Sequence, residues 1–207
     1  MDSIRREPVQ ARSKKTVREI LLAAEEVLAE IGYEAAIESP QRLLSQAGVT
    51  KGAFYSYFTS PSQAINVLAA TYSEKARAIA DDLGERSYAS WQDYIRDLIS
   101  TFHDFMATPA VRELWVRGHI LASPSAVDDG KHANVHIAKR MQEAMAGSIG
   151  RDARLDLIDY RVALEIISRV LGLARLDTTL GGERIKREAF TAATSYLAAK
   201  ITASSTS

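Results

Sequence analysis

The chain has 207 residues, 46% apolar and 25% charged, an ordinary globular composition long enough for one large domain or two small ones. It contains no cysteine, which excludes disulfides, thiolate zinc sites and cysteine nucleophiles. Twenty-six basic residues balance twenty-six acidic ones, so any binding to nucleic acid must rest on local charge.

No apolar run approaches the ~18 residues of a membrane span, and the N-terminus is polar, so the chain reads as cytoplasmic with no membrane partner. The charges are strongly ordered along it. Residues 1–18 carry Arg5, Arg6, Arg12, Lys14, Lys15 and Arg18 against only Asp2 and Glu7. Residues 19–38 carry six glutamates and no base, and residues 39–60 hold Arg42 and Lys51 and no acid. Such runs are commonly no more than a solvated surface.

The predicted elements are all helical, about nine of them. A T-x-x-E box at Thr16 and Glu19 opens the first, whose apolar positions Ile20, Ala23, Ala24, Val27, Leu28 and Ile31 keep helical spacing until Gly32 stops it. Ser39-Pro40 starts a short helix to about Gln46, and Ala47-Gly48-Val49-Thr50 makes a tight turn. Thr50 caps a third helix over 51–57. Ser60, Pro61 and Gln63 open a fourth, running to about Asp82. Further helices are expected at 91–106, 109–119, 129–146, 152–177 and 183–201. No stretch alternates as a strand would.

Two short helices joined by a glycine-containing turn form a helix-turn-helix, whose second helix can enter the DNA major groove; a plain structural hairpin is the alternative. On a helical wheel Phe54 and Phe58 share the inward face, while Gly52 and Ser56 lie opposite, flanked by Ala53 and Tyr55. Glycine within a helix costs about 1 kcal/mol relative to alanine. Close approach to another surface gives that cost a reason. The helix start, with Lys51 beside it, suits a phosphate.

The segments Ile20-Leu21-Leu22-Ala23-Ala24, Gly32-Tyr33 and the twelve residues from Ala47 to Phe58 closely resemble the tetracycline-repressor (TetR) family. The resemblance covers about residues 14–70. It implies an N-terminal three-helix DNA-binding domain, residues 1–60, on a larger helical domain, residues 61–207, that dimerises and binds a small effector. By resemblance Thr50, Lys51, Gly52, Tyr55 and Tyr57 contact phosphates and base edges, and Arg12, Lys14 and Lys15 touch the backbone or minor groove. Ala53 and Ser56, on the exposed face, and Arg42 join this set. The chain departs from the family in two places. Residues 34–46 are about two longer than usual, an excess a loop around Ile37-Glu38-Ser39-Pro40 can absorb. Pro61 stands where the family commonly has Lys.

In the second domain the helix at 152–177 is apolar over most of its circumference, more than one core contact requires. The last helix offers a small-residue side. The resemblance implies that these two helices form a homodimer interface, for which Leu164, Ile167, Leu171, Ala189, Ala193 and Tyr196 are the candidates. Tyr94, Phe102, His103, Phe105, Met106, Trp115, His119, Met141 and Met145 are either core or the lining of an apolar pocket. Trp115 and His119, one turn apart, stand out among them.

His132 and His136, spaced i, i+4 near Asp128 and Asp129, could hold a metal, or could simply mark an exposed helix start. No His-Glu-x-x-His, phosphate loop or Gly-x-Ser-x-Gly is present, so no cofactor and no enzyme are expected. The leading reading is a transcriptional repressor that a small apolar or aromatic effector releases from a pseudo-palindromic double-stranded operator. The alternatives are a DNA-binding interaction platform without an effector, and a helical enzyme with a coincidental helix-turn-helix.

Overall fold

The computed structural model describes residues 11–117, 133–149, 155–176, 179 and 181–204. The described residues form nine helices: α1 (Ala11–Glu38), α2 (Pro40–Ala47), α3 (Lys51–Tyr57), α4 (Pro61–Glu85), α5 (Trp91–Phe105), α6 (Pro109–Val116), α7 (Ala133–Met145), α8 (Leu157–Leu176) and α9 (Gly182–Ser204). The all-helical prediction holds for all of them.

α1 differs from its prediction at both ends. Thr16 lies inside the helix rather than capping it, and helix resumes after Gly32. Gly32 takes φ 75° and ψ 173°, a conformation open to glycine and strained for any side chain. It breaks α1 without ending it. The excess length expected as a loop before α2 is therefore a helical segment, residues 33–38.

The chain packs as two compact units. The first holds the described residues up to Ser73 together with α6. Its core is built from the inward stripe of α1 (Ile20, Ala24, Val27, Leu28), Leu43 and Leu44 of α2, Phe54 and Phe58, and Ile65, Leu68 and Tyr72 of α4. Burial and the nearby Glu25 carboxylate push the Tyr72 phenol well above its ordinary value. Leu114 and Trp115 of α6 are buried in this unit. Just past α6, Arg117 grips both carboxylate oxygens of Glu34, meets Glu113 at 3.2 Å and lies 5.4 Å from the Tyr33 ring centroid. That cluster fixes α6 against the segment following Gly32. A boundary at residue 60 therefore cuts through packing that the first half of α4 and the sequence-distant α6 share with the first three helices.

The second unit comprises Glu74–Ala107 and the described residues from Ala133 onward. Tyr94, Ile95, Leu98 and Phe102 of α5, Ile137 and Met141 of α7, Leu164 and Ile167 of α8, and Ala189 and Ala193 of α9 fill its core. α8 and α9 run antiparallel. Asp159 at the head of α8 meets Tyr196 at 3.2 Å and Lys200 at 3.1 Å, near the far end of α9. Asp81 of α4 engages two residues of α7: its carboxylate meets His136 Nε2 at 2.8 Å and lies 3.2 Å from the Arg140 guanidinium, and its backbone carbonyl accepts from Arg140 Nη2 at 3.2 Å.

Candidate nucleic-acid interface

The turn between α2 and α3 is built by local chemistry. Gly48 closes α2 in the left-handed conformation (φ 62°), with its N–H and that of Val49 returning to the Ser45 and Leu44 carbonyls. Thr50 is extended, and its Oγ1 accepts the Ala53 N–H at 3.2 Å, which starts α3. Phe54 and Phe58 are fully buried, their rings 5.6 Å apart, as the helical wheel predicts. α3 is thereby rotated to expose Lys51, Gly52 and Ser56, with Ala53, Tyr55 and Tyr57 half-buried around them. A Cβ added to Gly52 would meet no atom within 4 Å, so the glycine serves no internal packing and leaves the helix backbone open to a close approach. Ser56 donates its hydroxyl hydrogen to the Ala53 carbonyl at 2.7 Å.

The basic residues are placed less uniformly. Lys51 is exposed. Arg42, on the first turn of α2, is held by Glu30 of α1, and one turn on Gln46 donates to Glu26. The acidic stretch of α1 is thus more than a solvated face. It engages α2 at two rungs, Glu26 and Glu30 against Gln46 and Arg42. Matched i, i+4 spacing on both helices was the available sequence signal. Lys14 and Lys15 are exposed on α1 itself rather than on an arm preceding it, and Lys15 stands 3.7 Å from Glu19. The side chain of Arg12 lies outside the described part.

The expected pocket residues are divided between the two units. Trp115 is core of the first unit, whereas Tyr94, Phe102, Met106, Met141 and Met145 are buried in the second. His119 lies outside the described residues. Phe105 is half-buried, its ring 6.3 Å from Phe102. His103 is half-buried, with Nδ1 3.2 Å from Asp104 and its ring so close to α9 that a Cβ on Gly182 would fall 2.8 Å from Nε2. The Tyr94 hydroxyl is buried without a hydrogen-bond partner, and burial pushes its pKa well above the ordinary phenol value. The Tyr88 ring packs edge-on against it at 5.3 Å.

The residues expected at a dimer interface are engaged within the single chain. Leu164, Ile167, Leu171, Ala189 and Ala193 are all buried within the chain, and Tyr196 bonds Asp159. Tyr196 thereby links α9 to α8 of the same chain. The apolar residues of α8 left uncovered are on another side, with Ile158 57% and Leu173 43% exposed and Val162, Ile166 and Val170 between them. His136, read as half of a metal pair or an exposed helix start, is instead bonded to Asp81. His132 lies outside the described residues, and among the described ones no three His, Asp or Glu side chains cluster to hold a metal. No described helix is long and apolar enough to cross a membrane.

Residues 20–61 match the bacterial regulatory proteins of the tetR family. Solved structures share the fold over nearly the whole chain. A TetR-family transcriptional regulator from Syntrophomonas wolfei superposes with a TM-score of 0.65 at 12% identity, covering 89% of this chain and 96% of that one. Another from Mesorhizobium loti gives 0.60 at 17% identity, covering 92% and 98%. A third, from Streptomyces coelicolor, gives 0.54 at 25% identity, covering 91% and 98%. No curated protein matches the chain in sequence. A helix-turn-helix with this exposed face, carried on an all-helical chain of this fold, defines a DNA-binding regulator. Its segment 20–61 matches the tetR family, and its fold is that of TetR-family transcriptional regulators.

Proposed function

We propose that this regulator is a homodimeric repressor that binds a pseudo-palindromic operator through α2 and α3 and is released by a small apolar or aromatic effector. The observation that carries the DNA reading is α3 itself: two phenylalanines lock it inward, and Lys51, Gly52 and Ser56 face out over a bare backbone. A dimer is supported by the apolar ridge of α8 at Ile158, Val162, Ile166 and Val170, which follows helical spacing and has no covering element among the described residues. A twofold pair of such chains presents two recognition helices to two half-sites. An effector is supported by the Tyr94 hydroxyl, a buried donor that an acceptor on a ligand would satisfy.

The test is selection from random duplex DNA with the full chain, followed by footprinting. An inverted repeat should emerge. Lys51→Ala should weaken binding and lower the salt slope by about one, for one phosphate lost. Gly52→Leu should abolish specific binding and leave the fold intact. A Gly52→Leu protein that footprints normally would remove α3 from the interface.

A further inference from the structure

Taking α3 to enter the major groove, we propose that it reads each half-site through a thymine methyl group packed at Gly52–Ala53 and through one exocyclic amine at Ser56, without a paired-donor contact to guanine. Major-groove reading of guanine is typically the work of arginine or lysine bonding both O6 and N7, and reading of adenine that of asparagine or glutamine. The sequence of α3, Lys-Gly-Ala-Phe-Tyr-Ser-Tyr, contains no arginine, asparagine, glutamine or acid. Lys51 is its one cationic side chain, a point charge at the first turn suited to a phosphate.

What α3 does expose is small. Nothing stands within 4 Å of where a Gly52 Cβ would be, and the Ala53 methyl is half-buried next to it. This turn can come close enough to a base edge for methyl-to-methyl contact, and thymine alone among the bases carries a methyl on that edge. One turn on, Ser56 is exposed, but its hydrogen is donated to the Ala53 carbonyl at 2.7 Å. With its hydrogen held in this way, the hydroxyl offers its oxygen as an acceptor. An acceptor matches the N6 amine of adenine or the N4 amine of cytosine and is repelled by guanine O6 and thymine O4. The two features lie on one face, so they address neighbouring base pairs of one half-site.

The experiment takes the operator selected by the full chain and replaces each thymine of one half-site in turn by deoxyuridine, which lacks only the methyl. One position should weaken binding about fourfold, the worth of one buried methyl. That penalty should vanish in Ala53→Gly and persist in Ser56→Ala. Ser56→Ala should in turn lose the preference for adenine or cytosine at the adjoining pair, an outcome that does not depend on Ala53→Gly folding. An operator indifferent to every deoxyuridine, or a Ser56→Ala protein with base preference unchanged, overturns the proposal alone. A selection that enriches no sequence overturns the DNA reading and this proposal with it.

Discussion

Glu30 of α1 holds Arg42 of α2, so the one cation on the second helix is neutralised from within the DNA-binding unit. Both side chains are about half exposed or more, and an exposed pair is worth at most about 1 kcal/mol. It is strong enough to compete with a phosphate and too weak to matter for folding. Glu30→Gln should therefore raise DNA affinity about twofold to fivefold and steepen the salt dependence by about 0.9, as Arg42 becomes available to one more phosphate. In an Arg42→Ala background the same change should do nothing. Titrations across a series of potassium chloride concentrations read both quantities, and an unchanged slope in Glu30→Gln would mean that Arg42 is out of reach of the backbone.

The two sides of α8 should respond differently to the same insult. Leu164 is fully buried inside the chain, and a glutamate there has no partner and should unfold the second unit. Ile166 lies on the uncovered ridge, so Ile166→Glu should give a folded monomer. Circular dichroism and sedimentation together separate the cases. A dimer that survives Ile166→Glu would place the interface elsewhere.

Asp159 ties α8 to α9 and should make stability sensitive to acid. Burial pushes its carboxyl up, but the Asp156 N–H, Lys200 and Tyr196 outweigh that and hold it below the usual carboxylate value. With the folded value depressed, the contribution is fully present above the ordinary range near pH 4 and is lost as the pH falls through the lower folded value. Asp159→Asn should cost about 1–3 kcal/mol at pH 7, with the deficit shrinking below pH 4. Urea unfolding at several pH values measures it, and a deficit constant with pH would show that the charge of Asp159 is not the cause.

Tyr94→Phe removes a buried hydroxyl that has no partner in the ligand-free chain. The variant should be as stable as the parent or slightly more so, since an unsatisfied polar group costs about 1–3 kcal/mol. If the hydroxyl anchors the effector, release from DNA should need about tenfold more of it. A loss of stability in thermal melts would instead point to a partner for this hydroxyl within the chain.

The helix-turn-helix was legible because its determinants are local. A glycine for the left-handed position, a threonine cap and two phenylalanines one turn apart fix α3 with little help from the rest of the chain. Which side of α8 the chain leaves uncovered was not legible. A helix that is apolar around most of its circumference has two faces to bury, and spacing alone does not say which one its own α9 covers. Trp115 shares its aromatic chemistry with Tyr94 and Phe102, yet α6 packs with α1 near Gly32, a pairing more than eighty residues apart that no periodicity encodes. The Glu30–Arg42 pair fell between these cases. Its spacing was visible, but its meaning depended on α1 and α2 lying side by side.

The break at Gly32 also bears on how the length of this region can vary. Within an unbroken helix two added residues would swing everything beyond them by about 200°. Because the chain changes direction at Gly32, the aim of α3 does not propagate along α1. It is set where Leu43 and Leu44 seat α2 and where Glu26 and Glu30 engage it. Residues 35–38, beyond the Tyr33 and Glu34 that Arg117 holds, can then lengthen or shorten while the recognition surface keeps its bearing, which makes them, rather than the tight turn at Gly48, the natural place for insertions.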